Sequence, residues 1–138
     1  MSASPQRFLY VPRDPTLVHA SLAPMLPLTL IGNQTVSASA LVDSGAALNV
    51  LPFSLGQQLG FDWSQQKNLV VLSGNLASVE ARVVVLSAVV GSFPAVRLAF
   101  AWSQSDAVSV ILGQVNFFME FDVCFFRSRS MFELRVKT

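Results

Sequence analysis

Apolar and polar residues alternate along much of this chain with a period of two, the signature of half-buried β-strands. Val36, Ala38, Ala40 and Val42 interleave with Thr35, Ser37, Ser39 and Leu41, which puts small polar residues on one face of a strand. Met25–Ile31 precedes it, and Gly32-Asn33-Gln34 between the two predicts a hairpin. Further strands are predicted over Ala81–Val90, Ala95–Trp102, Phe121–Phe126 and Met131–Val136. They are separated by Gly91-Ser92-Phe93-Pro94, by the polar run Ser103–Asp106 and by an Arg127-Ser128-Arg129-Ser130 turn. Only two stretches suggest helix, a short piece over Ser54–Leu59 after Pro52 and a turn that follows Gly113. The pattern predicts an all-β, barrel-like closed sheet over residues 21–138. Residues 1–20, punctuated by Pro5, Pro12 and Pro15, are expected to form an extended N-terminal arm.

The strand ending at Val42 leads straight into Asp43-Ser44-Gly45-Ala46. A carboxylate at the end of an apolar strand, followed by a hydroxyl and a glycine, is what peptide hydrolysis by carboxylates requires of half a site. Two such groups share a proton, one acting as base towards water and the other as acid towards the carbonyl oxygen. Ser44 can hydrogen-bond nearby backbone and Gly45 permits a close backbone approach, so the turn becomes a mount for the carboxylate. The plainer reading is that Asp-Ser-Gly is simply a β-turn. A second signal weighs against it: Val108-Ser109-Val110-Ile111-Leu112-Gly113, an apolar strand ending in glycine, runs into Gln114-Val115-Asn116-Phe117-Phe118-Met119.

Taken together, Leu41–Pro52 (LVDSGAALNVLP), Val110–Phe118 (VILGQVNFF) and the closing strands from Phe121 to Val136 resemble the retropepsin-like aspartic proteases, and the small bacterial members most of all. The resemblance implies the acid protease fold with one lobe per chain, working as a homodimer on a polypeptide substrate. It implies Asp43 as the catalytic aspartate, Ser44 as a brace between the two loops across the dimer axis, and Gly45 and Ala46 as the rest of the active-site loop. Ala47, Leu48 and Ile111 are expected to contact substrate, with Ser73, Gly74 and Asn75 at the turn of a flap near Val70–Val85. Viral members carry an acidic residue and an arginine where this chain has Ala47 and Gln114. Both partners are replaced together, as the cost of an unpaired buried charge demands. A less polar groove near Ala47 and Leu48 follows, together with a dimer held differently.

Composition suits one domain of 138 residues that is 52% hydrophobic and 12% charged, with eleven phenylalanines. Such an apolar surplus points to a partner surface. No apolar run approaches the roughly 20 residues that span a bilayer, and the N-terminus lacks the apolar core of a signal peptide, so a cytoplasmic protein without membrane contact is expected. A net charge of +1 offers no field for nucleic acid. Cys124 is the single cysteine and is expected to be a core thiol; His19 is the single histidine, and no nucleophile elbow accompanies it. The remaining acidic residues lack metal-ligand spacing, so neither metal nor cofactor is expected. Three functions remain open on these grounds: a homodimeric aspartic endopeptidase, a peptide-binding module of the same fold with little or no turnover, and an interaction domain in which Asp43 is only a turn residue.

Overall fold

The computed structural model describes residues 4–14, 16–17, 21–72, 74 and 78–137. Six strands close into a ring. β4 (Met25–Ile31) and β5 (Thr35–Val42) form the expected hairpin, with Ile31 opposite Thr35 and Met25 opposite Leu41. β8 (Ala81–Val90) and β9 (Val96–Ser103) form a longer hairpin, from Ala88 opposite Val96 to Ala81 opposite Ser103. β6 (Asn49–Leu51) runs parallel to β9, and β10 (Ile111–Leu112) fills the space between β5 and β6. Pairing of β4 with β8, Leu28 opposite Val90, completes the circle β4-β5-β10-β6-β9-β8. The short β7 (Leu69–Val70) pairs antiparallel with the start of β8.

A second sheet lies outside the ring. β1 (Gln6–Leu9), β12 (Met131–Val136) and β11 (Phe121–Phe126) pair antiparallel in that order, while β2 (Val11–Pro12) pairs with β3 (Leu22–Ala23). Alternation sends Phe8, Phe132 and Leu134 inward, where they join Leu26, Leu28, Leu30, Val84, Leu86, Leu98 and Phe100 in the main core. On the opposite face of the same strands, Glu133 is only 5% exposed. It accepts from Arg7 at 3.1 Å and from Arg135 at 3.2 Å. Cys124 stands opposite Glu133 and is exposed. The expected core thiol is therefore corrected. Phe121 and Val123 take the inward side of β11, and strand geometry turns the residue after Val123 outward.

β9 is buried on both faces along its second half, which explains its unbroken apolar run. Phe100 and Trp102 enter the main core. Ala101, on the other face, joins Val50, Leu72 and Ala81 in a small second cluster. Trp102 is fully buried and holds the helix α1 (Phe53–Gln58) against the barrel. Its indole stacks on Phe53 at 5.6 Å, meets the edge of Trp63 at 5.1 Å and donates from Nε1 to the Phe53 carbonyl at 3.0 Å. Gly56 of α1 lies so close that a Cβ would overlap the indole ring. Pro52 before the helix offers no side-chain cap, and Asp106 supplies one from a distant loop by accepting from the Ser54 amide at 2.8 Å. The other helix, α2 (Phe117–Glu120), is a single turn that buries Phe117. Among the described residues no helix is long and apolar enough to cross a membrane.

The Arg7 hydrogen bond, and secondarily the contact with Arg135, hold the Glu133 carboxyl below its ordinary pKa against the opposing effect of desolvation. A carboxyl depressed in the folded state stabilises the protein above its unfolded pKa, and that contribution is lost as pH falls through the folded value. Glu133→Gln is expected to lower the urea midpoint at pH 7, and its difference from wild type should narrow as the pH is taken below about 4.5. A gap of constant size across that range would show that the ion pairs contribute nothing.

Candidate functional site

Asp43 follows the last residue of β5, and its own amide continues the ladder to β10 by donating to the Leu112 carbonyl at 3.0 Å. The backbone then turns tightly. The Ala46 amide donates to the Asp43 carbonyl at 3.1 Å, and the Gly45 amide donates to Asp43 Oδ1 at 2.9 Å, so the carboxylate is tied to its own turn. Asp43 is half-buried, while Ser44, Gly45 and Ala47 are exposed. The turn geometry and the site geometry coincide, and the plain β-turn reading describes the same hydrogen bonds.

The segment after β10 zips onto this loop. The Gln114 amide donates to the Ala46 carbonyl and the Val115 amide to the Ala47 carbonyl, both at 2.9 Å, and the Asn49 amide returns to the Val115 carbonyl at 3.1 Å. Gly113 stands at the crossing. A Cβ there would lie 2.5 Å from the Leu48 carbonyl oxygen and 2.7 Å from that of Ala46, so only glycine lets the two chains approach. The Gln114 side chain adds a further contact, Nε2 donating to the Ser44 carbonyl at 2.7 Å.

Beneath the loop lies a pair of asparagine side chains. Asn49 has no exposed surface, and its Oδ1 accepts from the Gly113 amide at 2.8 Å while its Nδ2 donates to the Ala99 carbonyl at 2.9 Å. Asn116 Oδ1 accepts from the Ala99 amide at 3.0 Å and Nδ2 donates to the Arg97 carbonyl at 3.0 Å. That side-chain amide occupies the position of a missing strand, pairing β9 just ahead of the point where β6 begins. The two side chains also meet each other at 3.3 Å. Sequence reasoning assigned no role to Asn49 or Asn116. Asn49 stands alone between apolar neighbours, but Asn116 follows Gln114 closely, and nothing local in the sequence brings the two asparagines together.

Next to the loop, Ala46, Ala47, Leu48, Val50, Val71, Leu72 and Ile111 line a cavity of about 250 Å³. Ala46, Ala47, Leu48 and Ile111 of the predicted site residues are thus brought together, and Val50, Val71 and Leu72 join them. Among the described residues no charged side chain lines it. Its floor belongs to the second apolar cluster, to which Val50, Leu72, Leu48 and Ile111 contribute. The rim beyond Val71 leads towards the expected flap. There β7 and β8 pair as Leu69 opposite Arg82 and Val70 opposite Ala81, and Gly74 has φ +65° with open space where a Cβ would stand. Ser73 and Asn75 lie outside the described residues. The Arg82 guanidinium supports this hairpin base by donating to the Trp63 carbonyl at 2.7 Å and covering the Trp63 ring at 4.5 Å. Among the described residues no three His, Cys, Asp or Glu side chains gather in a group that could hold a metal ion.

A family model described as aspartyl protease matches residues 26–115, a span that contains both the Asp43 loop and the Gly113 crossing. Among solved structures the chain is similar to a retropepsin-like aspartic protease from Rickettsia conorii, with a TM-score of 0.65 over 99% of this chain and 96% of that one, at 16% sequence identity. No curated protein matches the chain.

Replacing Asn49 with Ala would strand the Gly113 amide and the Ala99 carbonyl in a buried setting. A loss of about 1–3 kcal/mol in urea unfolding is expected. A change within about 0.5 kcal/mol, the range of an ordinary surface substitution, would show that the loop does not depend on this amide.

Proposed function

The chain belongs to the aspartyl protease family, and from that premise we propose that it is an aspartic endopeptidase that works as a homodimer on extended, hydrophobic peptides. The observation that carries the proposal is the isolation of Asp43: a carboxylate mounted at the end of a strand, beside an apolar cavity, on a loop whose outer residues face solvent. Hydrolysis needs two carboxylates. A two-fold axis beside the exposed Ser44 and Gly45 would bring a second Asp43 to the first and complete the pair, as symmetry makes the same patch serve both subunits.

In that arrangement one Asp43 takes a proton from a water molecule as its oxygen attacks the scissile carbonyl carbon. The other Asp43 gives its proton to the carbonyl oxygen. The tetrahedral gem-diol collapses as the C–N bond breaks: the amine leaves with the proton taken from water, and one hydroxyl returns its proton to the second Asp43, which restores the shared proton of the pair. An extended substrate would lie along the groove as an added strand, with alternate side chains directed into pockets such as that formed by Ala47, Leu48 and Ile111. Each hairpin between β7 and β8 would cover it as a flap and exclude water. The apolar lining supports aliphatic or aromatic side chains at the cut, since none of the described lining residues would compensate a buried charge.

Purified protein is expected to cleave members of a mixed peptide library between about pH 4 and 7, with the faster rates on the acid side, where two carboxylates share one proton. Asp43→Asn should abolish cleavage while leaving the dimer and its urea midpoint intact. Cleavage that persists in Asp43→Asn would refute the assignment of Asp43. Two inert but dimeric proteins would favour a peptide-binding module instead.

A further inference from the structure

Gln114 and Asp43 hold opposite ends of one peptide unit. The carbonyl of the Ser44–Gly45 peptide accepts from Gln114 Nε2 at 2.7 Å, and the amide of that same peptide donates to Asp43 Oδ1 at 2.9 Å. The peptide plane is rigid, so a donor that fixes its oxygen also fixes the direction of its N–H. Hydrogen bonds in series along such a plane polarise one another, and a donor at the oxygen makes the amide hydrogen a better donor to the carboxylate. We propose that Gln114 is a positioning residue for the Asp43 carboxylate, acting through the Ser44–Gly45 peptide. The inference rests on the protease reading of the site and deepens it.

Two features favour this role over a chance surface contact. First, the Gln114 backbone is already fixed against the loop by the hydrogen bond its amide donates to the Ala46 carbonyl, and Gly113 before it is fixed by Asn49, so the side chain starts from a rigid base. Secondly, among the described residues no other backbone hydrogen bond orients the peptide shared by Ser44 and Gly45: the adjoining loop bonds engage the carbonyls of Asp43, Ala46 and Ala47.

The contact is open to water in a single chain, because Gln114 and Ser44 are both exposed. Its worth is therefore greatest once a second copy covers the loop, where an unmade hydrogen bond can no longer be replaced by solvent.

Three variants test the role on the full chain, with steady-state kinetics on one cleavable peptide and a urea midpoint for each. Gln114→Met keeps the length and removes the donor. Gln114→Ala removes both, and Gln114→Lys restores an N–H donor of similar reach. The expected result is a fall in kcat of about tenfold for Gln114→Met and Gln114→Ala, with KM within about twofold of wild type and recovery of most of kcat in Gln114→Lys. Equal kcat in wild type and Gln114→Met would overturn the inference and leave the protease reading standing. A kcat loss that follows the urea midpoint in all three variants, with no recovery in Gln114→Lys, would assign Gln114 a purely structural part and also overturn it. Absence of turnover in the wild type itself would remove the protease reading, and this inference with it.

Discussion

The site depends on how closely two stretches of backbone approach at Gly113. β10 is only two residues long, yet it lies between β5 and β6 and closes the ring where it would otherwise gape. It can do so because the position after it carries no side chain, so the carbonyls of Ala46 and Leu48 come within a distance that a Cβ would forbid. The following amides then zip onto the Asp43 loop, and Asn49 from the far side accepts the Gly113 N–H. A loop that would ordinarily be among the most mobile parts of a small domain is thereby bonded at successive positions. Pre-organisation of this kind is what a catalytic group needs, since small displacements of a reacting carboxylate are costly to rate.

β9 gives the site its second property. Because both faces of that strand are buried, Phe100 and Trp102 anchor the main core while Ala101 floors a small apolar patch beside Val50 and Leu72. The same strand thus joins stability to the cavity that flanks Asp43. Trp102 links the cavity's neighbourhood further to α1, Trp63 and, through Arg82, the base of the β7–β8 hairpin. The base of that hairpin is thus held to the aromatic cluster by a cation–π contact and by hydrogen bonds to the Trp63 and Gln66 carbonyls.

Much of the architecture was legible in the sequence because strand alternation is a local signal. The β4–β5 hairpin, β8, β11 and β12 begin and end within a residue or two of where period-two patterning puts them. The Asp43 loop and the Gly113 strand were legible as motifs. What escaped was long-range. Cys124 lies between Val123 and Phe125 and reads as apolar surroundings, yet which face of β11 is covered depends on β12 and β1, far away in sequence. The Asn49–Asn116 pair was invisible for the same reason: an amide standing in for a missing strand is recognisable only when β6 is seen to begin beyond Ala99. The cavity residues Val71 and Leu72 were within the span expected for the flap, but nothing local shows that they turn towards Leu48 and Ile111.

The proposed function requires that Asp43 be half of a catalytic pair whose other half is the Asp43 of a second chain. The most direct test holds the wild-type concentration constant and adds increasing amounts of inactive Asp43→Asn chain, allowing subunits to exchange before cleavage is measured. If each active site draws one aspartate from each chain, mixed dimers are dead and the rate falls towards zero as the variant comes into excess. A rate that stays level, however much variant is added, would mean that one chain suffices and would contradict the account.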